Sequence, residues 1–237
     1  MNPTVAWITF RGLLGRRRFL LLFPLPALML VLAAIGNASG ASAQDWGTPV
    51  IDGFGFTVTL PVIALIVGTG VLGSEIDDGT VTHILAKPLP RRDIVLAKLA
   101  VAVGVSAVAT AVPMFVVGLL VESTRLGLAL AVACVVGALG YSAVFLAMSL
   151  LTRRPVLVGL LYVLLWEGLL GNLLTGTRVL SIHQYVLTIA HEVADTNLLV
   201  SHVGLTAAIL MSAVFLVGGT ILAIDRLRSF AVTGETS

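Results

Sequence analysis

Six apolar stretches divide this chain, most of them near the roughly 20 residues that a helix needs to cross a bilayer. They run over 19–35, 54–72, 94–121, 126–151, 156–170 and 202–224. Charged residues are 11% of the 237 and hydrophobic ones 58%, where a soluble domain carries about 25% charged. A water-soluble fold of this size could not hide so much apolar surface, because a substantial fraction of any such chain stays at the boundary. In lipid the same side chains can face outward. The pattern predicts an all-α integral membrane protein: one transmembrane domain over 1–237 with six spans.

Basic residues give the orientation, since they gather on the cytoplasmic side of a membrane protein. With the N-terminus inside, twelve of the 14 lysines and arginines fall in inner segments: Arg11, Arg16, Arg17, Arg18, Lys87, Arg91, Arg92, Lys98, Arg153, Arg154, Arg226 and Arg228. Only Arg125 and Arg178 fall outside. The expectation is a multi-pass protein of the cell (inner) membrane with both termini cytoplasmic. The formal net charge is only +2, which gives no general argument for nucleic acid. The lone cysteine, Cys134, lies in an apolar run; it reads as a small core residue and excludes an intrachain disulfide.

The N-terminal region imitates a secretory signal, with Arg16–Arg18, an apolar run and Ala41-Ser-Ala43. The run is about 17 residues, longer than the usual 7–15 of such a signal, so it is read as a retained first span; a mature start at Gln44 would remove that span. Ahead of it, Val5, Trp7, Ile8, Phe10, Leu13 and Leu14 suit an amphipathic helix lying at the cytoplasmic interface. Small residues at helical spacing, Ala129, Ala133 and Gly137 in the fourth span and Gly168 and Gly171 in the fifth, allow helix backbones to approach in lipid.

The stretch 74–93 is the most informative. Ser74 can cap a helix whose first turn holds Glu75, Asp77 and Asp78, acids that complement the positive end of the helix dipole. Val81, Ile84 and Leu85 form an apolar stripe. Pro88 and Pro90 then end the helix, and Pro90 can also start the next. This predicts a short, acid-headed amphipathic helix tied rigidly to two spans; an ordinary charged loop fits the composition equally well. Glu75-Ile-Asp-Asp-Gly-Thr80, Leu85-Ala-Lys-Pro88 and Arg91-Arg-Asp-Ile-Val-Leu-Ala-Lys98 resemble the cytoplasmic loop of ABC transporter permeases of the ABC type-2 export family. Span number, length and the basic amphipathic N-terminus agree with that resemblance. One departure is Pro90, where such permeases often carry a serine or threonine cap. The resemblance implies a coupling helix that docks on a cytoplasmic ATPase. Glu75, Asp77, Asp78, Gly79 and Thr80 would then form the docking head, and Lys87, Pro88, Arg91 and Arg92 the hinge and its anchor at the lipid surface.

This chain lacks the phosphate-binding loop, which needs a lysine directly after a glycine; neither Lys87 nor Lys98 has one. No cofactor is expected on it, and ATP and Mg belong to the partner. Glu167, in Leu165-Trp-Glu-Gly-Leu-Leu170, is an acid within a span. Such a carboxylate costs about 2.5–3.5 kcal/mol at depth on insertion scales and is a functional candidate by default. With Trp166 it would line the substrate path or an outer gate, or it would bond backbone N–H groups. His183, His191 and His202, with Glu192 and Asp195, read as a polar, partly helical outer cap between the fifth and sixth spans. His191-Glu192 lacks the second histidine of a His-Glu-x-x-His zinc site, so no metal is expected.

The resulting expectation is a non-enzymatic permease subunit of an exporter. It would pair with a second copy or paralogue, with the path at a two-fold interface, and bind two ATPase subunits. Spans rich in Val, Leu and Ala suit a lipidic or amphiphilic, drug-like cargo, although lipid-facing residues look the same. A membrane-embedded enzyme needs convergent polar groups at depth, and the spans offer chiefly Glu167. A non-transporting scaffold or sensor would show no coupling of ATP hydrolysis to cargo.

Overall fold

The computed structural model describes residues 3–15, 17–77, 90–170, 175–196 and 198–233. Among these, the helix α1 (Pro3–Leu14) precedes a short 3-10 segment, Arg17–Leu22, and α2 (Pro24–Ala38). Trp7 and Ile8 of α1 are exposed, and Trp7 stacks on Phe10 with ring centroids 6.1 Å apart. Next come α3 (Ala43–Thr48), a wider π-type stretch over Pro49–Thr59, and α4 (Leu60–Asp77). The long helices α5 (Arg91–Val121) and α6 (Thr124–Leu151) follow. The remainder is α7 (Pro155–Leu161), continued by π-type turns to Leu170, a 3-10 piece Thr175–Leu180, α8 (Ile182–Ala194) and α9 (Leu205–Thr233).

Among the described residues, five helical stretches are long and apolar enough to cross a membrane: Leu20–Ala38, Ala43–Leu72, Arg91–Val121, Thr124–Leu151 and Leu205–Ser229. The second begins eleven residues earlier than the apolar run over 54–72 suggests, because Asp45, Trp46 and Asp52 continue the helical course despite their polarity. The expected fifth span is different in kind. Pro155–Gly168 is apolar but short.

Helix α6 is the axis of the bundle, packing against α4, α5, α8 and α9. Small residues make this possible. Ala129 and Ala133 are fully buried, and a Cβ on Gly137 would stand 2.6 Å from Leu60 and 2.8 Å from Val186. Such close approach matters in lipid, where packing rather than the hydrophobic effect holds helices together. At the α5–α6 turn, Gly118 and Gly127 meet backbone to backbone: a Cβ on Gly118 would lie 2.5 Å from the Gly127 Cα. Ser123 caps α6, its hydroxyl accepting from the Leu126 N–H at 3.2 Å. At Gly168 a Cβ would lie 3.6 Å from the Val163 carbonyl oxygen, an ordinary contact, and Gly171 lies outside the described residues.

The segment expected as a polar, partly helical outer cap is helical over α8, and its residues divide by burial. Every residue from Ser181 to Ala190, His183 included, is buried, with Ile182 against Gly140 and Val186 against Gly137 of α6, whereas His191 is half-buried and Glu192, Asp195 and His202 are exposed. The C-terminal end of α8 reaches the α5–α6 turn, where Arg125 Nε donates to the Val193 carbonyl at 3.1 Å and Thr196 Oγ1 to Glu122 at 3.0 Å. Thr48 Oγ1 donates to the Leu198 carbonyl at 3.0 Å, bringing the start of the second span to the same end.

Candidate functional site

The break in the fifth crossing is built around Glu167. Its carboxylate is 3% exposed and faces the N-terminus of α8. Tyr162 Oη donates to Oε1 at 3.1 Å, Ile182 N–H to Oε1 at 3.0 Å and His183 N–H to Oε2 at 3.4 Å. The Ser181 hydroxyl also donates to Oε2, and its oxygen accepts from the Gln184 N–H at 3.4 Å. The first N–H groups of a helix have no intrahelical partner, and a carboxylate there is favoured by the helix dipole. Glu167 and Ser181 together supply those missing acceptors.

Depth makes this arrangement consequential. Ile182 touches Gly140, which lies about 24 Å along α6 from Thr124 and about 17 Å from Leu151 at 1.5 Å per residue. No water is at hand at that level to satisfy loose N–H groups. The return segment is held in the same way. Trp166 Nε1 donates to the Leu180 carbonyl at 3.1 Å, and the Tyr185 hydroxyl donates to the Val179 carbonyl. The arrangement therefore brings Trp166 and Glu167 together as a paired clasp on 179–183.

A second polar contact ties this clasp to the second span. His183 Nε2 lies 2.8 Å from Asp52 Oδ1 and 3.2 Å from Thr57 Oγ1. Nothing in the apolar periodicity marks Asp52 or Thr57, since 131 residues separate Asp52 from His183. A local signal for the start of α8 does exist: Ser181-Ile-His-Gln184 follows the Ser-x-x-Gln pattern of a capping box. Among the described residues no group of three His, Cys, Asp or Glu is placed to hold a metal ion.

At the opposite, basic end, α4 and α5 flank the segment 74–93. Arg91 is half-buried and Arg92 exposed in the first turn of α5. Glu75 and Asp77 belong to the last turn of α4, while Asp78, Gly79, Thr80, Lys87 and Pro88 lie outside the described residues. Lys98, counted above among the basic inner residues, is 1% exposed and interior to the bundle. Its Nζ donates to the Val71 carbonyl at 2.6 Å, so a buried ammonium pins α5 to α4 above the loop that joins them.

A family model described as "ABC-2 family transporter protein" matches residues 16–175, about two thirds of the chain. The chain belongs to this family. No curated protein matches the sequence. The matched region of this ABC-2 family member includes the first four long apolar helices, the segment 74–93 and Glu167; Ser181, α8 and α9 lie beyond it. Membership and the apolar helices make the protein a multi-pass membrane component of a transporter. The Glu167 clasp therefore joins a matched half of the fifth crossing to an unmatched one.

Proposed function

We propose that this ABC-2 family member is the membrane-spanning permease subunit of an ATP-driven exporter. It sits in the cell membrane with both termini cytoplasmic, pairs with a second copy or a paralogue, and engages two cytoplasmic ATPase subunits. ATP and Mg are bound by those subunits. The segment 74–93 is the coupling element, with Glu75, Asp77, Asp78, Gly79 and Thr80 as its docking head and Lys87, Pro88, Arg91 and Arg92 as hinge and anchor.

The observation that carries this reading is the Lys98–Val71 bond. The bond joins α4 to α5 beside the segment 74–93, so a push on that segment reaches both spans. The family match supports the same reading from the sequence side. ATP-driven closure of the partner would move this pair and shift the spans between inward-open and outward-open populations.

Glu167 and Trp166 stand where such a motion needs a joint. The clasp ties the basic-end half of the fifth crossing to α8 and the residues just before it. We assign the pair to the substrate path or its outer gate, where the clasp sets how the two halves move together.

The test is affinity purification from the native host in mild detergent, with mass spectrometry of the bound subunits. A stoichiometric nucleotide-binding subunit is expected, and Asp78→Lys with Gly79→Pro should release it or abolish its stimulated ATP hydrolysis. Unaltered hydrolysis and transport in that double variant would sink the coupling assignment. Absence of any ATPase across several detergents would shift the reading to a membrane enzyme or scaffold.

A further inference from the structure

A groove of about 900 Å³ runs along the lipid-facing side of the bundle between α1, the start of α2 and α5. Its walls are Trp7 and Phe10 of α1, Phe23 and Pro26 at the head of α2, and one stripe of α5. That stripe recurs in steps of four from Ala100 through Gly104 and Val108 to Val112, with Val101, Val105, Ala109 and Pro113 beside it. Among the described residues no charged residue lines the groove. Trp7, Phe23, Val108 and Val112 are all more than half exposed, so no described residue of the chain covers this surface.

Its dimensions select one. From Ala100 to Pro113 the helix rises about 20 Å. One leaflet of a ~30 Å hydrocarbon core is about 15 Å deep. The groove thus starts at the interfacial helix and extends through one leaflet, the reach of a single acyl chain. Arg11, exposed on α1 directly after the wall residue Phe10, is placed to meet a phosphate at the headgroup level. The floor is open because Gly104 has no side chain and a Cβ there would touch nothing within 4 Å.

We infer that this groove is a lipid site. It holds one acyl chain of a phospholipid from the leaflet at the basic end, with the headgroup beside Arg11. The chain wedges α1 against α5 and fixes the interfacial helix to the bundle. The site is separate from the clasp at Glu167 and from the segment 74–93.

The experiment uses the full chain, with whatever subunits co-purify, in vesicles of phosphatidylethanolamine and phosphatidylglycerol. A small fraction of the phosphatidylglycerol carries a diazirine on one acyl chain. After photolysis the adducts are mapped by peptide mass spectrometry. Adducts should concentrate on 6–10 and 100–113, well above those on the exposed face of α9, which contains Ile209, Val214 and Val217. Gly104→Phe projects a ring into the groove from a position where a Cβ meets nothing within 4 Å, and should cut the groove adducts several-fold while leaving the α9 adducts unchanged. Equal labelling of groove and α9, or groove labelling that Gly104→Phe does not alter, would show ordinary annular lipid and overturn the site. Absence of groove adducts in the unaltered protein would show that another helix, such as one from a second copy, covers the stripe, and would overturn it equally. Repeating the experiment with a diazirine phosphatidylcholine tests Arg11: the headgroup assignment requires lower labelling with the zwitterionic lipid than with a lipid whose phosphate lacks a choline neighbour.

Discussion

Glu167 and Lys98 are buried ionisable residues that bind backbone groups of a neighbouring element. Removing either leaves the backbone partner without water to replace it, so the loss includes the desolvation of the orphaned group as well as the bond. Glu167→Ala should destabilise the protein by about 1–3 kcal/mol, the cost of leaving buried donors unsatisfied. Unfolding in mixed detergent micelles measures this. Glu167→Gln keeps the volume and one acceptor oxygen, and should lose less. Stability unchanged in both variants, with transport lost, would place Glu167 in direct contact with cargo rather than in the clasp. Lys98→Met preserves most of the packing but removes the ammonium. We expect the ATPase partner to remain bound while its stimulated hydrolysis falls, with Lys98→Arg restoring part of it. Full stimulated hydrolysis in Lys98→Met would show that the Val71 bond carries no motion.

The fifth crossing shows at the level of elements why apolar length alone is an incomplete guide. Residues 156–170 are apolar enough for a span, yet α7 gives way to π-type turns, and a separate helix, α8, begins beside Glu167. A helix can begin inside a bundle only if its first N–H groups are satisfied, and Ser181 and Glu167 do this. Ser181→Ala should therefore cost about 1 kcal/mol, the usual value for losing an N-cap, with the largest increase in amide hydrogen exchange over 182–185. The α5–α6 turn makes the complementary case for small residues. Gly118→Ala forces a methyl to within 2.5 Å of the Gly127 Cα and should destabilise by about 1–3 kcal/mol, as overpacking does. Gly104→Ala, facing open space, should be neutral or stabilising by up to about 1 kcal/mol through helix propensity. Comparable losses at the two glycines would contradict the packing described for α5 and α6.

Across the whole molecule, the polar contacts link opposite ends of the bundle. Lys98 joins α4 to α5 at the basic end, Glu167 joins the two halves of the fifth crossing near mid-depth, and His183 joins α8 to Asp52 of the second span. At the far end, the Arg125–Asp195 pair is exposed at 3.8 Å; such surface pairs contribute roughly 0–1 kcal/mol, so Arg125→Ala should act chiefly through its bond to the Val193 carbonyl. The exposed apolar faces of α2, α7 and α9 leave ample surface for lipid and for a second subunit. Cross-linking of single cysteines placed on these faces, in a Cys134→Ala background, should yield a dimer through one face only. Cross-links distributed evenly over all three faces would argue against a defined permease dimer.

The apolar runs themselves determine that the chain is a helical membrane protein, because a helix that spans lipid must be long and apolar along its whole length. The short turn at 122–123, the amphipathic N-terminal helix and the small-residue seam of α6 are equally local features, and each is legible from its own residues. Family resemblance was legible too, since it rests on a contiguous motif. Tertiary structure alone decided that π-type turns follow α7 in the expected fifth span, that residues 181–190 are buried, and that Lys98 is buried and bonded to the Val71 carbonyl. The Asp52–His183 contact was likewise invisible in the sequence, whereas bonding of Glu167 to backbone N–H groups was one of its two expected readings and only the partners, Ile182 and His183, needed the structure. The physical reason is shared: a buried polar group is tolerated only with a partner, and these partners lie 14–131 residues away, beyond any helical period or capping pattern.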